Sequence, residues 1–425
     1  MPRQMKDSGI GWIGSIPETW HTIKFKYLHG GMNTGEGIDK NFWSDEPSDR
    51  LFYTAGLNPI RTNYENFPEW KYTKENDLLL ARNGTPYIYM PYPNACYTDH
   101  IIRASMNKGV NKRFVQYGLQ RSIASVVVDS VSLATWSASL WNEQVIAWPS
   151  AEEQERIVSF LDEKCAHIDS VLEQTRASIE EYKKLKQSVI TQAVTQGVRG
   201  KRQLKNSGIE WIGSIPTDWR KTQLRHCATV KSGITLGKTY ADNTELFKMP
   251  YLRVANVQDG YVDVADLAVL SVSFEEIEKY RLHTGDVLMT EGGDRDKLGR
   301  GCVWDARIDP CLHQNHIFAV KTNEKILNPF FLEYVTASRV GRDYFDITAI
   351  KTTNLACTSS SKVLAFVIPL PSLEEQAEIV EYLKQKTGEL DNLIAKKQTF
   401  ITELENYKKS MIYEYVTGKK EVPQS

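Results

Sequence analysis

Two segments of the chain carry a long helical pattern of apolar positions. Over 151–196 the pattern falls at Cys165/Ile168, Leu172, Ile179/Tyr182 and Val189, and over 372–417 at Leu390, Ile394, Ile401/Leu404 and Met411. This heptad-like stripe is narrow, which suits a two-helix contact better than burial in a thick core. Thr175, Lys186, Lys397 and Lys408 interrupt it. Each helix opens on a capping-box signal, Ser150 with Glu153 and Ser372 with Glu375, just after Pro149 and Pro371. There the Ser side chain would cap the third amide while Glu reaches back to the cap residue's own amide. No Pro or Gly lies within 151–196. At about 1.5 Å per residue that helix would span roughly 69 Å, too long to be buried in one domain of ~150 residues.

The remaining segments alternate or run apolar as strands do. Residues 77–82 and 144–148 read as strands in the first half, and 251–257, 285–290, 316–320 and 363–370 in the second; 329–345 reads as a helix. Both regions are therefore expected to be α/β with strongly bent sheets.

Self-comparison organises these elements. Residues 8–20, SGIGWIGSIPETW, recur as 207–219, SGIEWIGSIPTDW, with ten of thirteen positions identical, Trp12/Trp211, Pro17/Pro216 and Trp20/Trp219 among them. The segment PSAEEQERIVSFLDEK from Pro149 recurs as PSLEEQAEIVEYLKQK from Pro371, an offset of 222 that persists to Ser188/Ser410, Ile190/Ile412, Val194/Val416 and Thr195/Thr417. Between the anchors the halves diverge. Weaker landmarks pair Tyr53 and Asn58 with Tyr251 and Asn256, Cys96 with Cys311, His100-Ile101 with His316-Ile317, and Asn111, Phe114 and Tyr117 with Asn328, Phe331 and Tyr334. The organisation expected is 1–149, a first variable domain; 150–200, a spacer helix; 201–370, a second variable domain; and 371–425, a second spacer helix and tail. An internal pseudo-twofold would pair the helices antiparallel. Near-identical flanks around divergent cargo suggest one scaffold adapted to two targets; a plain duplication without a recognition role is the alternative.

Composition fits a soluble globular protein. The chain has 425 residues, 41% hydrophobic and 25% charged, with 52 Lys+Arg against 53 Asp+Glu. No apolar run is long enough to span a membrane, and MPRQMKDSG lacks a signal core, so a cytoplasmic protein is expected. Six scattered cysteines fit a reducing compartment rather than a disulfide framework. The balanced charge excludes a bulk polycation, so any nucleic-acid site needs local basic patches or a partner's help. The helices add to that balance, with nine Asp/Glu against seven Lys/Arg over 151–200.

Candidate chemistry is sparse. GITLGKT (233–239) has one residue too few for a phosphate-binding loop. Cys302, Cys311, His313 and His316 match no standard zinc spacing. No constellation of catalytic residues or metal ligands stands out, and no catalytic site, metal or cofactor is assigned. Arginine beside polar and aromatic residues is the remaining signal, because Arg reads guanine, and Asn or Gln adenine, by paired hydrogen bonds in the major groove. Such residues are Arg50, Arg61, Arg82, Asn83, Thr85, Arg113 and Arg121 in the first half, and Arg253, Asn256, Arg295, Lys297, Arg300 and Arg307 in the second. The loops ARNGTP (81–86) and EGGDRDKLGRG (291–301) follow equivalent strands and are the best candidates for facing DNA.

The order SGIxWIGSIPxxW, variable region, PSxEEQ helix, then the same again, resembles the specificity (S) subunit of Type I restriction–modification enzymes. The resemblance covers essentially the whole chain. It implies that 17–148 and 216–370 are target recognition domains, each reading half of a bipartite, asymmetric site in double-stranded DNA. It further implies that the helices form an antiparallel coiled coil that sets the gap between half-sites and docks methyltransferase (M) subunits. Restriction (R) subunits would join through that complex. The chain itself would be non-catalytic, with S-adenosylmethionine, ATP and Mg on its partners. Ile168, Leu172, Ile179, Tyr182, Val189, Leu390, Ile394, Ile401, Leu404 and Met411 would serve helix pairing or partner docking. A stand-alone DNA methyltransferase or nuclease, and a structural scaffold without a DNA role, are the competing classes.

Overall fold

A computed structural model describes residues 3–423 apart from 55, 57, 83–86, 128–134, 294–297, 300 and 352–355. The chain divides into two compact units. The first comprises 1–175 and 399–425, and the second 176–398. Both long patterns are single helices, Ala151–Gln196 and Leu373–Val416. Each helix therefore contributes one stretch to each unit.

The repeated SGIxWIGSIP motif is a β-hairpin. Met5–Asp7 pairs antiparallel with Ser15–Pro17, and Leu204–Asn206 pairs with Ser214–Pro216 in the matching register, Met5↔Pro17 against Leu204↔Pro216. The strand after each hairpin pairs with the strand just before each long helix: His21–Lys24 with Val145–Trp148, and Arg220–Gln223 with Val367–Leu370. The divergent sequence of each unit is thus bracketed by one ladder.

Within the first unit a four-stranded sheet runs in the order 29–34, 101–106, 77–81, 88–89, and a second in the order 96–97, 50–53, 60–62, 43–44. The second unit repeats the first sheet as 228–232, 317–322, 287–290, 301–303, and carries a three-stranded counterpart of the other, 268–272, 247–252, 312–313. Central strands are buried on both faces, as Asp77–Ala81 and Val287–Thr290 are throughout, so they read as continuous apolar runs rather than alternating ones.

Four sequence expectations change. The helix expected over 329–345 is two, Pro329–Ala337 and Arg339–Thr348, because Ser338 leaves the helical region (ψ 172°) and caps the second with its hydroxyl on the Val340 amide, 3.2 Å. The strand expected over 363–370 begins as a short helix, Ser360–Ala365, capped by Ser359; only Val367–Leu370 is strand. The strand expected over 251–257 ends at Leu252 and turns into a 3-10 helix, Val254–Asn256. The landmark pairing also shifts: the parallel ladders join Cys96 to Phe52 and Tyr97 to Tyr53, but Leu312 to Tyr251 and His313 to Leu252. Cys96 is therefore equivalent to Leu312, not Cys311.

In both units the long helices run antiparallel. In the first, Phe160 packs on Tyr415 and Asp169 pairs with Lys408 at 2.6 Å. In the second, Lys186 pairs with Asp391 at 2.7 Å and Arg199 with Glu378 at 2.5 Å. The two Lys–Asp pairs are one interaction repeated at the offset of 222. They account for two of the three lysines that interrupt the apolar stripe, Lys186 and Lys408: half-exposed pairs add little stability but fix which residues face each other. Ile168, Leu172, Ile179, Leu390, Ile401 and Met411 are buried, whereas Tyr182, Val189, Ile394 and Leu404 are half-buried.

Both helices end on a glycine in the left-handed region, Gly197 (φ +78°) and Gly418 (φ +73°), each against a hairpin tryptophan. A Cβ on Gly418 would fall 2.5 Å from Pro17 Cδ, and one on Gly197 3.2 Å from Trp219 Cζ2. Gly418→Ala adds this clash to left-handed strain and is expected to destabilise the first unit by about 2 kcal/mol. Urea denaturation should show the midpoint falling; an unchanged midpoint would mean the helix end is not held against the hairpin.

Candidate nucleic-acid interface

The repeated motifs meet at one place in each unit. The indole Nε1 of Trp20 donates to Glu153 Oε2 at 2.8 Å, and that of Trp219 to Glu375 Oε2 at 3.0 Å. Both rings are 1% exposed. Each carboxylate also takes an arginine from just before the first hairpin strand, Arg3 on Glu153 and Arg202 on Glu375. The expected reciprocal capping box is thereby corrected. Ser150 and Ser372 do cap, accepting from the amides of Glu153 and Glu375 at 3.3 Å, but the glutamate carboxylates hold Trp and Arg instead. The glutamine of the motif completes the joint, as Gln154 and Gln376 donate to the carbonyls of Pro149 and Pro371 at 3.0 Å. The serine, the second glutamate and the glutamine of PSxEEQ thus bind the start of the helix to the domain it follows.

Around this frame the halves differ. In the first unit Arg113 and Tyr117, on the helix Lys112–Val127, both donate to Asp162 of the long helix, at 2.7 and 2.6 Å. Burial, then the Asp162 carboxylate, pushes the Tyr117 hydroxyl pKa up. Arg121 lies half-buried over the Tyr413 ring, 5.4 Å from its centroid. Both arginines, which were expected to face DNA, contact the spacer helices.

Several other candidates are held locally. Asn256 is buried, accepts from the Arg253 amide and donates to the carbonyls of Asp263 and Asp266, so its amide is committed to a turn. Arg253 pairs with Asp266 at 2.9 Å and Arg307 with Asp305 at 2.7 Å. Arg61 donates to the Asp49 carbonyl, and Arg50 to the Tyr72 hydroxyl at 2.6 Å. Asn83, Thr85, Arg295, Lys297 and Arg300 lie outside the described residues.

The candidate loops leave matched positions. The Arg82 amide bonds the His100 carbonyl at 2.9 Å, and the Glu291 amide bonds the His316 carbonyl at 2.9 Å. At this shared entrance the first unit presents an exposed arginine. The second presents Glu291, with its carboxylate 2.6 Å from His316 Nδ1. The two surfaces therefore differ in charge at an equivalent backbone point.

The sequence reading missed a set of exposed aromatics. Trp70 is 62% exposed with the Lys71 ammonium over its ring, and Trp43 is 43% exposed beneath Lys40. Cations on exposed aromatic faces suit anionic, π-bearing partners. A Lys three residues before Trp in KNFW and next to Trp in EWK is the sequence signal for them.

The alternative chemistries resolve into local structure. Lys238 and Tyr240, near the phosphate-loop resemblance, both bond the buried Glu276 at 2.6 Å. Cys302 and Cys311 are buried, which pushes their thiols up to about 12, and burial lowers His313 to about 4. Among the described residues no group of three metal-binding side chains converges, and no helix is long and apolar enough to cross a membrane.

A tandem scaffold that presents two divergent surfaces on one repeated frame defines a two-site recognition protein. Comparison with known proteins specifies it further. The Type I restriction modification DNA specificity domain matches residues 216–410. The putative MjaX specificity subunit of Methanocaldococcus jannaschii is 28% identical over 207 residues, covering 48% of this chain and 47% of that protein. This chain thus matches about half the length of that relative. The EcoBI specificity subunit of Escherichia coli is 25% identical over 375 residues, covering 83% of this chain and 75% of that one. In fold, the chain is similar to one solved in work on complex assembly and conformational transition of the type I R-M system, with a TM-score of 0.67, 16% identity, and coverage of 95% of this chain and 99% of that one. Residues 216–410 thus match the Type I restriction modification DNA specificity domain, and most of the chain is similar to Type I restriction enzyme specificity subunits.

Two outcomes test the frame. Glu375→Ala leaves the Trp219 indole and Arg202 without their buried acceptor, and is expected to cost about 3 kcal/mol, against a smaller loss for Glu375→Gln, which keeps an oxygen there. Denaturation of the two variants decides it; equal losses would remove the carboxylate from its assigned role. Glu333, on the helix Pro329–Ala337 and near Asp259, is pushed up to about 7 by burial. The folded chain then holds this proton more tightly than the unfolded one, so stability falls as pH rises from about 4.5 to 7, by about 2–3 kcal/mol. Glu333→Gln should flatten that slope in melts between pH 5 and 8, and a slope equal to wild type would refute the assignment.

Proposed function

We propose that this chain is the DNA-specificity subunit of a Type I restriction–modification complex, with each unit reading one half of a bipartite, asymmetric site in double-stranded DNA. The observation that carries the reading is the duplicated Trp–Glu–Arg frame beneath divergent surfaces. A frame kept alike at both ends, under loops that differ even in charge at Arg82 and Glu291, is what two unlike half-sites require. The two long helices, shared between the units, set the spacing of the half-sites and dock methyltransferase subunits, and restriction subunits join through that complex. The chain is non-catalytic and acts in the cytoplasm. S-adenosylmethionine, ATP and Mg are held by the partners, whose surfaces also supply part of the phosphate neutralisation that a chain of net charge −1 lacks.

Methylation mapping tests this. Exchanging 17–148 for the matching region of another specificity subunit should change one half-site and leave the other; loss of both would count against modular reading. Deleting four residues at matched positions of both helices shortens each by about 6 Å, close to two base-pair steps of ~3.4 Å, and should change the preferred spacer. An unaltered recognition sequence would sink the ruler. Purified chain with S-adenosylmethionine alone should transfer no methyl group to DNA, and transfer without a partner would favour the enzyme reading.

A further inference from the structure

The two units finish one sheet differently. In each, the second sheet contains a parallel ladder, which joins Phe52 to Cys96 in the first unit and Tyr251 to Leu312 in the second. The next strand along is 60–62 in the first unit, with Ile60 opposite Phe52, and 268–272 in the second, with Ala268 opposite Tyr251. Arg61 is therefore equivalent to Val269, and Thr62 to Leu270. In the first unit that strand is covered: Trp43 pairs with Thr62 and Ser44 with Arg61, antiparallel. In the second unit 268–272 is the last strand of its sheet, and among the described residues nothing pairs with its outer side.

The uncovered edge has a definite hydrogen-bonding pattern. Opposite residues in an antiparallel ladder alternate between bonded and non-bonded pairs. Pro250 stands opposite Val269 and has no amide to give, so the bonded pairs of this ladder are Phe247–Val272, Met249–Leu270 and Tyr251–Ala268. The peptide groups of Val269 and Ser271 consequently point outward. Their side chains lie on the solvent face, where Val269 is 60% exposed. Ala268, Leu270 and Val272 alternate with them and pack inward with Phe247, Met249 and Tyr251. The usual guards against edge pairing are missing, since AVLSV has no Lys, no Pro and no charge, and its register is unbroken.

We propose that this edge pairs with the same edge of a second copy of the chain, antiparallel about a twofold axis at Leu270. The first unit shows what the position takes, an antiparallel strand. The strand 268–272 is its own complement. Pairing about Leu270 sets Val269 opposite the second copy's Ser271, so each outward amide meets an outward carbonyl. The inner rows then stay apolar from one copy to the other. Met249 and Leu270 continue into the second copy's Leu270 and Met249, and Phe247 and Val272 into its Ala268 and Tyr251. The strand brings no charge to the contact. A twofold contact of this kind closes on itself, so the unguarded edge gives a dimer rather than a fibre. The inference does not rest on the function proposed above.

Sedimentation of the full-length chain should show a reversible monomer–dimer equilibrium in the micromolar range. Val269→Lys places a guard charge at the exposed position, and Ser271→Pro removes an outward amide that the sheet of its own chain does not use. Both variants should keep the wild-type circular dichroism and weaken the dimer at least tenfold. Leu270→Cys should cross-link two chains under mild oxidation, because opposite residues of a non-bonded pair have Cα atoms about 4.5 Å apart, within the span of a disulfide. Ser271→Cys, which faces Val269 instead of itself, should not, and neither should wild type. A wild-type chain that stays monomeric overturns the proposal, as does a dimer untouched by both edge variants, or cross-linking of Ser271→Cys in preference to Leu270→Cys. A monomer whose 268–272 amides exchange slowly only when methyltransferase subunit is added overturns it too, since the edge then belongs to that partner.

Discussion

The architecture depends on a carboxylate that must not be left alone. Glu153 and Glu375 are withdrawn from water at the first turn of each long helix, where the side chain of Glu375 is only 3% exposed. A carboxylate so placed is costly unless it is bonded on several sides. The indole of Trp20 or Trp219 and the guanidinium of Arg3 or Arg202 supply those bonds. Because the tryptophan and arginine belong to the hairpin, and the glutamate to the helix, the interaction fixes where each domain ends and its spacer begins. The serine cap and the glutamine bond to the preceding proline carbonyl orient the same turn.

Once that joint is fixed, the rest of each domain is free to change. The bracketing ladders and the buried central strand hold the sheet, and loops between them can lengthen or alter charge without disturbing the frame. The first unit adds a polar brace, Arg113 and Tyr117 on Asp162. The second unit meets the same helices through other contacts, the Gln187 amide on the Ala337 carbonyl and the Asn328 amide on Gln376. Basic residues of the domains are largely neutralised by nearby acids or turned towards the helices. This gives a structural reason for the near-zero charge: cationic surface is local, at points such as Arg82 and the lysines over Trp43 and Trp70.

What the chain's own order of residues determined was the repeat, the two long helices and the family. These follow from local rules: a heptad stripe, a serine cap and a duplicated motif are each complete within a short stretch of sequence. The function of the motifs was not legible in the same way. Glu153 looked like half of a capping box because its nearest bonding group in sequence is the cap amide, while its actual partners lie far away in the chain. Arg113 and Arg121 looked like DNA contacts because nothing local tells an arginine facing a groove from one facing a helix. Ser338 breaks a helix that periodicity alone would continue, and the Lys186 and Lys408 interruptions make sense only beside Asp391 and Asp169.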